Sequence, residues 1–133
     1  MPRVPVPPKI DEFLARPNPA VVATVSPSGA PHTAATWYDW EHGRVFLNMD
    51  VNRLRLRYMR ENPAVALTAL GADSWYDQVT LLGRIVSFED DPDLAGIDRL
   101  AIRYDGKPFG KRDARRVNAW MVPERWSSWP LPR

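Results

Sequence analysis

Short apolar runs separated by turn-forming residues dominate the chain, and they predict strands rather than long helices. Ala20 to Val25 is a compact β-branched run closed by Ser26-Pro27-Ser28-Gly29, which reads as a hairpin turn. Pro31 to Tyr38 is the return strand, in which alternation places His32, Ala34, Thr36 and Tyr38 on one face and Thr33, Ala35 and Trp37 on the other. Asp39 to Gly43 reads as a turn and Arg44 to Asn48 as a third strand. Ala64 to Leu70 is a fourth, and Gly71 to Ser74 turns the chain again. Trp75 to Phe88 is one long strand or two joined at a bend, with Gly83 suited to a bulge or a close backbone approach. In Arg115 to Val122, the last predicted strand, Val117, Ala119 and Met121 alternate with Asn118, Trp120 and Val122.

Three segments carry helical spacing instead. Lys9 to Ala15 puts Ile10, Phe13 and Leu14 on one side and is ended by the prolines at 17 and 19. The arginine-rich stretch from Arg53 stops at Asn62-Pro63, and Asn48-Met49-Asp50 before it offers side chains that favour a helix cap. Asp90 or Asp91 caps a third helix entered through Pro92, with Ile97, Leu100, Ala101 and Tyr104 at i, i+3, i+4 and i+7. Met1 to Pro8 reads as an extended arm, and the Pro- and Trp-rich tail over 123–133 as too proline-rich to continue a sheet. About six strands with only short helices imply a closed or nearly closed antiparallel barrel, since a flat sheet would leave an apolar face and two edges uncovered.

Composition narrows the chemistry. The 133 residues fit a single domain over 1–133 with one core. Cysteine is absent, which excludes disulfides, thiolate catalysis and cysteine metal sites. With only His32 and His42 as histidines, a metal site would rest on carboxylates, so none is expected. Proline occupies the N-terminal stretch where a signal peptide needs an apolar core, and no run approaches the ~20 apolar residues of a membrane span; the expectation is a soluble, cytoplasmic protein with no membrane partner. The net charge is only +2 although the pI is about 9.2, and the basic residues are mostly arginine. That argues against nucleic acid as partner and for a local anion site.

The anion site is placed at the turn and helix from Arg53. Free amides at a helix start, the positive end of its dipole and guanidinium groups together favour a phosphorylated ligand. Arg53, Arg55, Arg57 and Arg60 supply the charge. Equally, Arg53, Arg57 and Arg60 share a helical face, and such a stripe can be plain solvated surface.

The order VVATVSPSGAPHTAATWY, RVFLNMDVNRLRLRYMRENPAVAL, LLGRIVSF resembles the split β-barrel flavin and deazaflavin oxidoreductases related to pyridoxamine 5′-phosphate oxidase. The resemblance spans roughly Ile10 to Val122 and rests on three features: Gly29 and Pro31 opening the second strand, the basic turn-helix ending in Asn62-Pro63, and Leu82-Gly83-Arg84. It implies a mainly β fold, a split antiparallel barrel with short flanking helices, assembled as a homodimer with its sites at the interface. FMN-dependent members commonly carry Arg-Lys in the basic turn. Here Leu54 follows Arg53, and the Arg53-x-Arg55-x-Arg57 pattern looks more like the branch that binds coenzyme F420, with FMN the alternative. Carried over by position, Arg53 and Arg55 bind the phosphate, Arg57 and Arg60 are available to the phosphate or the anionic tail, and Thr36, Trp37 and Asn48 complete the cofactor site.

By that resemblance the activity is hydride transfer between the deazaflavin and a small conjugated or heteroaromatic substrate. Hydride chemistry resides in the cofactor and asks the protein chiefly to orient the ring and exclude water. No catalytic acid is assignable. His32 is either a substrate-positioning group or an ordinary hydrogen-bonded turn residue, and Tyr38 and Tyr104 are weaker choices. Trp37 is open between pocket and packing, while Trp75, Tyr76, Trp120, Trp126 and Trp129 read as core or dimer contacts. Two other classes remain: a protein that binds or stores the cofactor without catalysis, and an FMN-dependent oxidase of pyridoxamine phosphate.

Overall fold

A computed structural model describes residues 1–129. Its elements are α1 (Pro8–Leu14), β1 (Ala20–Val25), β2 (Pro31–Thr36), β3 (Asp39–Glu41), β4 (Arg44–Asp50), α2 (Leu54–Glu61), β5 (Ala64–Leu70), β6 (Gln78–Asp90), α3 (Ala95–Asp105) and β7 (Arg116–Trp129). The seven strands form one sheet in the order β2-β1-β5-β6-β7-β4-β3, antiparallel at every step. The two edge strands, β2 and β3, are consecutive in the chain and joined only through Trp37 and Tyr38. Those residues span at most about 10 Å, whereas the edges of a flat seven-stranded sheet lie roughly 29 Å apart at ~4.8 Å per strand. The sheet therefore curls until its edges approach, as a split barrel.

Inside the curl lies one apolar cluster. Val22, Leu47, Met49, Leu67, Leu81, Ala119 and Met121 point inward from the strands, Ile10, Phe13 and Leu14 from α1, and Leu56 and Met59 from α2. The helical spacing over 9–15 thus marks a core-facing stripe, as does Ile97, Leu100 and Ala101 on α3.

Several expectations are corrected. β7 does not stop at Val122 but runs on to Trp129, so most of the tail is sheet. Pro123 is accommodated because it sits at a bulge: Gly83 pairs with Pro123 and Leu82 with Arg125, leaving Glu124 over, and an irregular position tolerates a residue without an N–H. The N-terminal arm lies along the other side of this extension. Val4 N–H donates to the Glu124 carbonyl, 3.1 Å, and Trp126 N–H to that of Pro2, 3.1 Å. Residues 130–133, the end of the predicted tail, lie outside the described residues. The predicted turn at 39–43 contains a seventh strand, β3, before the left-handed pair His42-Gly43. β2 ends at Thr36, so Tyr38 leaves the alternation and is fully buried. Trp126 belongs to the core, whereas Trp75, Tyr76 and Trp129 are exposed.

Gly83 is where the sequence anticipated a close approach, and the bulge explains it. A Cβ there would overlap the Val122 carbonyl oxygen and crowd the Pro123 Cα, both of them backbone with little freedom to yield. Gly83→Ala is expected to destabilise the fold by about 1–3 kcal/mol, the usual cost of overpacking, read as a lower midpoint in urea unfolding with an unchanged slope.

Candidate functional site

Between the end of β2, the middle of β4, the start of α2 and the face of α3 lies a cavity of about 470 Å³. β2 contributes Ala35 and Thr36, followed by Trp37; β4 contributes Asn48, α2 Arg55, α3 Ile97, Leu100 and Tyr104, and β7 Arg116. Phe109, Pro17, Pro19 and Ala20 complete the wall. One end is cationic and the other apolar and aromatic. Trp37 stacks on Tyr104 with centroids 5.3 Å apart and rings 9° from parallel, and Phe109 meets Trp37 edge-on at 6.0 Å.

Each side chain is held by an identifiable cause. Pairing of β4 with β7 sets Asn48 opposite Asn118 and brings in Arg116, 68 positions along the chain. The Asn48 amide nitrogen donates to Asn118 Oδ1, 2.7 Å, and Asp91 Oδ2, 3.0 Å, while its Oδ1 accepts from Arg116 Nε, 2.7 Å. Asp91 is buried and also accepts the Gly96 and Ile97 amides, 2.9 and 3.0 Å, so it caps α3 as the sequence suggested. The residue that immediately precedes the helix is Leu94, in a left-handed conformation. Arg55 donates to the Asn48 carbonyl, 3.1 Å, and more weakly to that of Ala35, 3.4 Å. Its Nε is buried without a hydrogen-bond partner. Phe109 is fixed because its amide donates to Asp98 Oδ1, 3.0 Å, the carboxylate that also pairs with Arg112 at 2.9 Å. Hydrogen bonding from Arg112 holds the Asp98 pKa below its usual value.

Electrostatically the cavity is short of negative charge. Burial lowers the Arg55 pKa to about 10, helped by repulsion from Arg53 and Arg116. Arg116 is lowered for the same first reason, with Asp50 opposing the shift. Among the described residues neither guanidinium has a carboxylate within ion-pair distance.

A family model for pyridoxamine 5′-phosphate oxidase matches residues 6–130. The chain belongs to the pyridoxamine 5′-phosphate oxidase family. This family member is 30% identical to a solved F420 reductase, covering 92% of the present chain and 98% of that one, with a TM-score of 0.84. A conserved hypothetical protein from Mycobacterium tuberculosis shares the fold at 22% identity, coverage of 98% and 91%, and a TM-score of 0.72. General stress protein 26 from Bacillus anthracis does so at 19% identity, coverage of 93% of both chains and a TM-score of 0.65. No curated protein matches the chain significantly. The flavin-type split-barrel oxidoreductase expected from the sequence is thereby the family in hand.

Within this oxidoreductase fold, Thr36, Trp37, Asn48 and Arg55 meet at one cavity, from positions that the chain separates by up to nineteen residues. Arg53 is the residue preceding α2; it is exposed and outside the cavity lining. No side chain caps α2, so Asn48 and Asp50 do not act as predicted: Asn48 faces β7, and the Asp50 carboxylate accepts the Asn52 amide, 2.8 Å, rather than one of α2. Arg57 and Arg60 point elsewhere, Arg57 toward Glu61 at 3.9 Å and Arg60 over the Phe88 ring at 4.6 Å. His32 packs edge-on against Tyr58, 5.6 Å, with its Nδ1 buried and unpartnered, and is not in the cavity wall. Tyr38 donates its hydroxyl to the Leu14 carbonyl, 2.8 Å, and burial raises its pKa. Tyr104 lines the cavity, but its hydroxyl donates to the Asn18 carbonyl, 2.6 Å, and burial raises its pKa too. Arg116, Asn118 and Phe109 were not foreseen, and Asp91 was foreseen only as the cap of α3, not as a partner of Asn48. For Arg116 the signal was its place on an alternating strand, which becomes informative only once that strand is paired with β4.

Proposed function

We propose that the protein is a coenzyme F420-dependent oxidoreductase that reduces a small conjugated or heteroaromatic substrate. The observation that carries this reading is the half-buried Arg55 with its orphaned Nε in the wall of a cavity that Trp37, Tyr104 and Phe109 also line, next to Arg53 on the basic turn. A phosphate-bearing, planar ligand fits such a donor set, since phosphate satisfies guanidinium in a fork and the rings can lie against Trp37, Tyr104 and Phe109. The 30% identity with an F420 reductase over nearly the whole chain supports the deazaflavin over FMN, as does the exposed Leu54, at the position where the family resemblance gives FMN-dependent members commonly a lysine. When bound, the deazaflavin supplies the hydride. The chain's part is to hold the phosphate at Arg53 and Arg55, to orient the ring between Thr36, Asn48 and Trp37, and to keep water out along the apolar wall. The hydroxyls of Tyr38 and Tyr104 are committed to backbone carbonyls, so proton delivery falls to solvent or to the substrate's own groups.

The reading includes a homodimer in the cytoplasm, in which Arg57 and Arg60, outside the cavity lining of their own chain, would exchange their contacts with Glu61 and Phe88 for an anionic tail. A side-by-side titration with F420 and FMN, followed by quenching of tryptophan emission, tests it. Micromolar or tighter binding of F420 and at least tenfold weaker binding of FMN are expected; a preference for FMN would move the protein to the oxidase branch.

A further inference from the structure

We propose that Arg116 and Arg55 together form an oxyanion subsite inside the cavity, with Asn48 as the bracket that holds the two guanidinium groups toward one another. The backbone carbonyl of Asn48 accepts from Arg55 and its side-chain oxygen from Arg116, so one residue orients both cations. Asn48 cannot turn away, because its amide nitrogen is fixed by Asn118 and by buried Asp91. The arrangement is therefore built rather than incidental. Two desolvated cations held near each other are unfavourable unless something negative joins them. The protein's own acids do so only from a distance: Asp50 and Asp91 attract Arg116, yet Asp91 is hydrogen-bonded to the Gly96 and Ile97 amides, Asp50 to the Asn52 amide, and among the described residues neither forms an ion pair with Arg55 or Arg116. Arg55 keeps its buried Nε donor unused, and Arg116, whose Nε is spent on Asn48, is also stacked at 5.0 Å on the Phe109 ring that borders the apolar end. The ligand this geometry selects is an oxyanion, phosphate or carboxylate, attached to an apolar planar body.

This rests partly on the proposed function, because the oxyanion belongs either to the cofactor's phosphate or to an acidic group on the reducible substrate. Inorganic phosphate is the probe that does not depend on it. Thermal unfolding of the protein in phosphate, compared with chloride at equal ionic strength, is expected to shift upward by several degrees, and the shift should be mostly lost in Arg116→Gln. If that variant does not fold, Arg116→Lys, which keeps the charge but not the fork, should show at most half the shift. No phosphate-specific shift, or a full shift in the variants, overturns the subsite. Titration of Arg116→Gln with F420 and with its phosphate-free deazaflavin chromophore then assigns the source. A loss of tenfold or more for F420 alone makes the anion the cofactor's phosphate. Unchanged F420 affinity, with a phosphate shift that persists in the F420-saturated wild type and vanishes in the variant, makes it the substrate's. Failure of F420 to bind the wild type, alongside an Arg116-dependent phosphate shift, removes the proposed cofactor and leaves the subsite standing.

Discussion

Replacing Arg53 and Arg55 together by alanine should weaken F420 binding a hundredfold or more while moving the thermal midpoint by only a few degrees. The first half follows from the cost of removing two charge-assisted contacts, at about 1.5–3 kcal/mol each, with ~1.4 kcal/mol per factor of ten. The second half follows from where the arginines sit. Arg53 is exposed and carries no ion pair among the described residues. Arg55 gives up two hydrogen bonds to carbonyls, but its removal also relieves a desolvated cation repelled by Arg53 and Arg116. Opposing terms of about 1 kcal/mol leave a small remainder, and 1 kcal/mol moves the midpoint by only roughly 3–5 °C in a domain of this size. Titration and thermal melts on the same preparation separate the two. Unchanged affinity would reject the phosphate assignment, and a collapse of the midpoint would make Arg55 a structural residue first.

Asp91→Ala should do the reverse, with stability lost first and binding lost as a consequence. The carboxylate is buried and satisfies the Gly96 and Ile97 amides and the Asn48 side chain. Alanine would strand three donors, each costing about 1–3 kcal/mol when unsatisfied in the interior, for a total on the order of 3–5 kcal/mol. Because α3 supplies Ile97, Leu100 and Tyr104 to the cavity, loosening its first turn also slackens the apolar wall. Urea unfolding measures the first effect. Ligand affinity at a temperature where the variant remains folded measures the second. A loss under 1 kcal/mol would mean that water replaces the carboxylate and that Asp91 does not organise the site.

The elements whose evidence is local were legible before the structure. The β-branched run of β1, the Ser-Pro-Ser-Gly turn, the stripe on α3 and the close approach at Gly83 each declare themselves within a dozen residues, and each stands where expected. Thr36, Trp37, Asn48 and Arg55 were singled out through the family resemblance, carried over by position along the basic turn and the strands beside it, and the fold brings all four to one cavity. Arg116 and Asn118 were not, since their relevance comes from a ladder that joins residue 48 to residue 118, and nothing local announces it. The tail was misjudged for a related reason. Proline discourages a strand in isolation, but Pro123 pairs with Gly83 at a shift in register, and an irregular position tolerates a residue without an N–H.

Strand order also dictates when the site can come into being. Among the described residues the strand neighbours of β4 are β3 and β7, and β1, β2, β5 and β6 form a separate run of neighbours, so until β7 slots between β6 and β4 the sheet exists as two unconnected parts. Arg116 and Asn48 meet only through that last insertion. A chain emerging from the ribosome can assemble its hairpins early, yet it holds no cavity while residues 116–129 are inside the exit tunnel. Closing contacts this distant in sequence is slow compared with forming local turns. Ligand capture is therefore coupled to completion of the fold, and a cofactor that binds this protein selects only molecules that have finished folding.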